Sequence, residues 1–563
     1  MRTKRCFATR MVATAPACVP LVLAFCLAAL GSIEHPAAMS PDVSALSREA
    51  AEVPIADESR VDDYLRRLFH AFPGPVTESD VIGMLGPELE GPVLHAIEVV
   101  GLPATPYLLE RLSDPDPRNR ELAVLTIGNI GDDSAVPALE KALRDAAPKV
   151  RARAAWALGS LRATEAVAAL ARRRRDTDWE VRMATAWALG NLRVRAAVGP
   201  LTELLQDKDR LVRATAAEAL GGLGCTDPVP SLIPLLQDSD EWVRYKAAGA
   251  LRVLTFGIVT AAKAPYDRKS WPRGPLHNLA VAYREFWRTH KEKSNDELMR
   301  EAIGLRIHLL RPKDSVEEYY EIREPLEKLT FQSIYAASEN DPMSLVLRWR
   351  EWWARNRNTE TWEWALQQTE WPAWPDLEDS CWGAIVREGA AKAIPVLAGL
   401  GQRDTRFPGT HVQLLKHLTL LDLGFGKPWA TDDDRRAAAK AWQEWYSKHR
   451  NTWDVRGEMR RALPTAQGED FWIAVKTLRW LGDFSAVPYV LKRADSRDYA
   501  EREAASKELQ RLTGRQIGCR LHTWESDVQR ANYAANWRLW WERNAERFRK
   551  REPPLPLPRM KKW

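Results

Sequence analysis

The chain has 563 residues, far more than the roughly 100 to 200 of one globular domain, so it holds either several domains or an architecture that grows by repetition. The formal net charge of +6 sits at the ends: residues 1–40 carry +3, residues 534–563 carry +6, and the body between them carries −3. A mildly acidic body with one basic tail is a poor phosphate-binding surface, which argues against a nucleic-acid partner.

The N-terminus reads as an export signal over residues 1–31. It has a basic start, MRTKR, an apolar run from Val19 to Leu30, and a small-x-small site at Ala29-Leu30-Gly31. The alternative is an uncleaved inner-membrane anchor, because Met11 to Ile33 carries no charge and a spanning helix needs about 20 apolar residues. Pro16, Pro20 and the short apolar core favour the signal, and with it a periplasmic or envelope location. Beyond it the chain keeps Cys225, Cys381 and Cys519, whose spacing fits neither a disulfide framework nor a zinc site, although one bridge stays open.

Residues 32–60 are rich in Pro, Ser, Ala and acidic side chains and read as a flexible leader. Helices are expected over 61–102 as an N-terminal cap, the first with Val61, Leu65, Leu68 and Phe69 on one face, followed by another near Glu78 to Leu85.

From 103 to 254 one pattern recurs. Asp114, Asp145, Asp176, Asp207 and Asp238 are each 31 residues apart, as are Arg120, Arg151, Arg182, Arg213 and Arg244, and Gly128, Gly159, Gly190 and Gly221 keep the same step. A self-similar period of this length marks an all-α solenoid of antiparallel helix pairs, whose units bury their apolar faces only by stacking. In Asp133 to Leu161 a first helix is expected from Ala135 to Leu143, with Pro137 in its first turn. A second helix is expected from Pro148 to Gly159, closed by the glycine in the left-handed conformation. The Asp and Arg ladders read as structural: an Asp in the turn can cap the second helix and pair with the Arg of its own or a neighbouring unit.

The pattern D-x-x-x-x-V-R-x-x-A-x-x-A-L-G, seen at Asp145 to Gly159 and approximated in the neighbouring units, resembles the HEAT-like repeat of the phycobilisome-lyase type. The resemblance implies a superhelix with its second helices on the concave side. Deoxyhypusine hydroxylase, built of similar repeats, carries iron-binding His-Glu pairs, and this sequence has no His-Glu dipeptide.

Of 25 tryptophans, 22 lie at or beyond Trp242, so residues 255–549 are expected to form enlarged, Trp-rich units of the same solenoid. Leu-Thr pairs at 254, 329, 418 and 512 each close an apparent helix, and each precedes an aromatic triplet spaced i, i+3, i+4. The triplets are Tyr283, Phe286, Trp287; Trp349, Trp352, Trp353; Trp442, Trp445, Tyr446; and Trp537, Trp540, Trp541. Rings at that spacing share one helical face and read as core. The last segment, 550–563, is a basic Pro-rich tail.

No H-E-x-x-H, G-x-S-x-G, P-loop or dinucleotide-binding turn is present, so the sequence gives no catalytic, metal or cofactor site to propose. The functional candidates are aromatic. On the second helix, residue 156 points about 145° from the centre of the apolar arc, which sends Trp156 and its counterpart Trp187 outward, with Trp242 and Tyr245 on the same arc two units on; the alternative is that each ring lies flat over the alanines of its neighbour. Trp371 and Trp374, each before a proline, are a third candidate for partner binding, the alternative being that they pack within their own long loop. The expected activity is non-catalytic binding of a protein or peptide on the concave face. The alternatives are a lyase or hydrolase built on the same repeats, and a polyanion binder acting through the tail.

Overall fold

The computed structural model describes residues 49–50, 53–54, 57–70, 100–256, 258–259, 276–309, 326, 330, 342–367, 382–403, 408–423, 431–515, 517 and 527–550. The signal segment, most of the leader, the basic tail, Cys381, Cys519, Trp371 and Trp374 lie outside the described residues. Among those described, regular structure is helical throughout, without strands, and no helix is long and apolar enough to cross a membrane.

A first helix, α1 (Glu58–His70), buries Val61, Tyr64, Leu65 and Leu68. The repeats follow as pairs: α2 (Thr105–Arg111) with α3 (Pro117–Ile130), α4 (Val136–Ala142) with α5 (Pro148–Ser160), and α6 (Val167–Arg173) with α7 (Trp179–Leu192). Next come α8 (Val198–Leu204) with α9 (Arg210–Leu223), then α10 (Val229–Leu232), a short 3-10 turn, and α11 (Glu241–Leu254). Prolines sit in the first turns of α2, α3, α4 and α5, where a backbone N–H would lack a partner anyway. Asp116, Asp178, Asp209 and Asp240 cap α3, α7, α9 and α11 by accepting from the N–H two residues on.

The recurring glycine does not close the second helix, contrary to the sequence expectation. Gly159 lies inside α5, and the left-handed residues come three positions later, at Gly131 (φ 82°), Arg162 (42°), Arg193 (54°) and Gly224 (72°). The glycine is there for close approach. A Cβ on Gly159 would lie 2.6 Å from the Cα of Ala188 in the next second helix, and Gly128, Gly190 and Gly221 meet Ala157, Ala219 and Ala250 in the same way. Successive second helices therefore pack nearly backbone to backbone, whereas successive first helices do not approach so closely. Tighter spacing on one side bends the stack toward the second helices and makes their free face concave.

Beyond Leu254 come α12 (His277–His290), α13 (Asn295–Leu309), α14 (Pro342–Asn356), α15 (Thr361–Gln367), α16 (Ala390–Arg403), α17 (Pro408–Thr419), α18 (Asp432–His449) and α19 (Val455–Ala462). The chain ends with α20 (Gly468–Trp480), α21 (Val487–Arg493), α22 (Tyr499–Thr513) and α23 (Asp527–Lys550). The Leu-Thr signature has a shared geometry: Thr255, Thr330, Thr419 and Thr513 are buried, and each hydroxyl donates to the carbonyl four residues back. Each aromatic triplet presents its first ring to the core, with Tyr283, Trp349, Trp442 and Trp537 at 0–1% exposure.

Units α20 to α22 return to the grammar of the first repeats. Arg502 donates to the carbonyls of Ser496 and Arg497, as Arg151 does to those of Asp145 and Ala146, and Gly482 and Gly514 are both left-handed at φ 68°.

The final helix does not extend the stack outward. Instead α23 packs on the turns between the first repeats: Asn536 accepts from Leu102 N–H and donates to the Val100 carbonyl, while Trp540 Nε1 donates to the Gly131 carbonyl and to Asp133. Arg543 pairs with Asp132 at 2.7 Å, and Arg515 grips Asp133 through both carboxylate oxygens at 3.0 and 2.6 Å. The last helix thus contacts the turns that begin the first repeats.

Candidate functional site

The ladders turn out to be one interlocked device. Arg120 donates twice to Asp145, 25 residues on in the next unit, with both bonds at 2.8 Å, while its remaining Nη1 reaches the carbonyls of Asp114 and Pro115 in its own turn. Arg151 to Asp176, Arg182 to Asp207 and Arg213 to Asp238 repeat this fork. Each Asp also accepts from the N–H two residues on, so one carboxylate fixes its own turn and the neighbouring unit together. Asp114 starts the series, pairing with Arg111, and Arg244 continues it among the described residues by donating to the carbonyls of Asp238 and Ser239.

The hydrogen bonds from Arg120 hold the Asp145 carboxyl below the usual carboxylate range. At Asp176 and Asp207 burial pushes the other way, but the Arg151 and Arg182 bonds and the turn N–H outweigh it, so both are also depressed.

The ladder sets the register in which the aromatic side chains meet. Trp156 and Trp187, one period apart, are both half-buried and stack with ring centroids 5.5 Å apart and planes 8° off parallel. Each ring leans on the preceding second helix, where the glycine leaves room: the edge of Trp187 would lie 2.9 Å from a Cβ on Gly159, and that of Trp156 3.8 Å from one on Gly128. Trp242 and Tyr245 form a second stacked pair within α11, with centroids 5.4 Å apart, and they too are half-buried. Lys246 Nζ lies 4.5 Å over the Trp242 ring and pairs with Glu218. The structure therefore groups Trp156 with Trp187 and Trp242 with Tyr245. Ala155 and Ala186, each one residue before a ring of the first pair, are fully buried and belong to the core.

Stacked rings with one face against the protein and an edge in water make an apolar, planar contact surface and offer no nucleophile or proton donor beyond the indole N–H and the Tyr245 hydroxyl. Among the described residues no group of three or more His, Cys, Asp or Glu side chains is placed to hold a metal. Cys225 is a free, half-buried thiol whose pKa is pushed up by burial and then by Asp227.

Two features escaped the sequence reading. One is the junction of Arg515, Trp540 and Arg543 with Asp132 and Asp133, whose members share no period. The other is the left-handed series Gly131, Arg162, Arg193, Gly224, which does share the step of 31 but puts a different residue type at its centre.

A curved stack of antiparallel helix pairs, locked by an Arg–Asp fork from unit to unit, is an α-solenoid. Its 31-residue units are HEAT repeats, the family matched at residues 105–190 and 170–252. Solved structures similar to this chain include the CpcE and CpcF complex of phycocyanin lyase from Nostoc sp. PCC7120, at 18% identity over 46% of this chain and 98% of that one, with a TM-score of 0.24. A designed armadillo repeat protein in complex with the peptide (KR)4 is similar at 20% identity over 38% of this chain and 100% of that one, TM-score 0.25. Importin beta is similar at 12% identity over 85% of this chain and 67% of that one, TM-score 0.32. No curated protein sequence matches the chain.

Proposed function

We propose that this protein is a non-catalytic HEAT-repeat scaffold that works outside the cytoplasm and binds a protein or peptide through the concave face of its second helices. The observation that supports this reading most directly is the Trp156–Trp187 stack. Two large rings held parallel, half in water, on the face toward which the repeats curve give contact area at little entropic cost, because packing against the glycine positions already restricts them. A partner segment with planar or aliphatic side chains suits such a surface, and the Trp242–Tyr245 pair with Lys246 adds a cationic end to it. The export signal read from residues 1–31 supports the location.

A photo-crosslinking residue in place of Trp187, in the full chain within its own cell envelope, identifies the partner by mass spectrometry of the adduct. The recombinant partner is then titrated against the protein and against Trp156→Ala/Trp187→Ala. The double variant should lose about 2 kcal/mol or more of binding, roughly thirtyfold in Kd, with its helical circular dichroism unchanged. Adducts that join the chain only to itself, or an unchanged Kd, would overturn the assignment.

A further inference from the structure

Two of the turns that join one repeat to the next hold an arginine with no carboxylate partner. At the left-handed position of four successive turns the chain has Gly131, Arg162, Arg193 and Gly224, so the two central turns force an arginine into a backbone conformation that glycine adopts freely at either end. Nothing in the turn itself needs a side chain there, since Gly131 and Gly224 make the same connection.

Arg162 lies beside the C-terminal junction, and Arg193 occupies the equivalent position one repeat further along the stack. Arg162 Nη1 would lie 3.1 Å from a Cβ on Gly514, the residue before Arg515. Arg515 spends its donors on Asp133 and on the carbonyls of Ser160 and Leu161. That leaves Arg162 and Arg193 in this row without a carboxylate. Arg162 is solvent-accessible, and partial burial followed by the neighbouring Arg515 charge lowers its pKa. Arg193 is half-buried, its Nε and Nη2 are buried with no hydrogen-bond partner, and burial followed by the Arg162 charge lowers its pKa to about 10. The charge acting on each is therefore another guanidinium. An arginine does not shed its proton near neutral pH, so the charge and the idle donors stay.

We propose that Arg162 and Arg193 form a binding site for a dianionic oxyanion of the phosphate class, held beside the junction between the second and third repeats and the C-terminal units. Two forks of N–H donors without a protein acceptor match an ion that brings several oxygens and two negative charges. The site is distinct from the concave aromatic face, and it joins repeats early in the chain to Gly514 and Arg515 near its end. Bound phosphate would therefore tighten the closure of the solenoid.

The test titrates inorganic phosphate into the full chain at constant ionic strength, with sodium chloride and sodium acetate as controls, reading both heat of binding and Tm. Glycerol 3-phosphate in a parallel arm distinguishes a site that admits a phosphate ester from one that takes only the free ion. The wild type should bind phosphate and gain Tm beyond either control. Arg162→Gly/Arg193→Gly, which copies the residues of the flanking turns and relieves the backbone, should fold, keep or raise its Tm without phosphate, and lose at least roughly tenfold in affinity. Arg162→Lys/Arg193→Lys should retain part of the binding. Binding no stronger than the acetate control, a phosphate response equal in wild type and glycine variant, or a glycine variant destabilised to the same extent with and without phosphate would each overturn the proposal.

Discussion

Gly159 carries a lesson about reading a residue type from its place in a repeat. At the end of an apolar run it has the look of a helix terminator, and the structure uses it for clearance instead, with Ala188 of the next helix against its Cα. Gly159→Ala adds a methyl where backbone atoms lie within 2.6 Å, so the second helices must separate. The expected cost is about 1–3 kcal/mol in chemical denaturation, together with reduced stacking of Trp156 on Trp187, visible as changed near-ultraviolet circular dichroism. Gly199→Ala, at a glycine with open space around it, is the control and should change stability little. The true termini of the second helices are Gly131, Arg162, Arg193 and Gly224, and two of these four are not glycine at all.

At the scale of elements, the C-terminal helix α23 and the residues just before it decide how the molecule is closed. Asp132 and Asp133 occupy the first inter-repeat turn only; the equivalent positions in later turns hold Ala163 and Thr164, then Val194 and Arg195. This pair of buried carboxylates is matched by Arg543 and Arg515 from the far end of the chain. Arg515→Ala leaves Asp133 buried at 1% exposure without its counter-ion and should cost about 3–5 kcal/mol, whereas Arg515→Ala/Asp133→Ala should recover a large part of that loss. Hydrogen exchange gives a second readout. In Arg515→Ala, amides of α3, α5 and α23 should lose protection together, while those of α9 and α11 hold theirs. A loss confined to α23 would mean that the closure does not support the first repeats.

For the whole molecule, the Arg–Asp fork sets the response to acid. The Asp145, Asp176 and Asp207 carboxyls titrate below their unfolded value, so the stabilisation they give is complete above the unfolded pKa, about 4, and is lost as pH falls through the depressed folded values. Between pH 7 and 5 the ladder contributes no change, and below about pH 4 its links fail in series. Because each repeat is stable mainly through its neighbours, loss of one fork weakens those beside it. The urea midpoint should therefore be flat from pH 7 to 5 and fall steeply below 4. Asp176→Asn should lower the midpoint at neutral pH and flatten the acid limb.

What the sequence determined by itself is what repeats. The period of 31, the pairing of one Asp with one Arg per unit, the proline in the first turn and the shared face of each aromatic triplet are local or nearest-neighbour facts, and each 31-residue unit meets the same neighbour in the same way. The helical angle alone set Trp156 and Trp187 off the apolar arc, although their mutual stacking needed the 31-residue register to be translated into a distance. Tertiary structure alone decided the rest. It chose the next unit's Asp for each Arg, turned the glycines from terminators into contacts, and brought Gly514 and Arg515 beside Arg162. The closure of α23 onto Gly131, Asp132 and Asp133 joins residues about 400 positions apart through side chains that occur once each. A contact made once leaves no period in a sequence, and only the folded chain shows it.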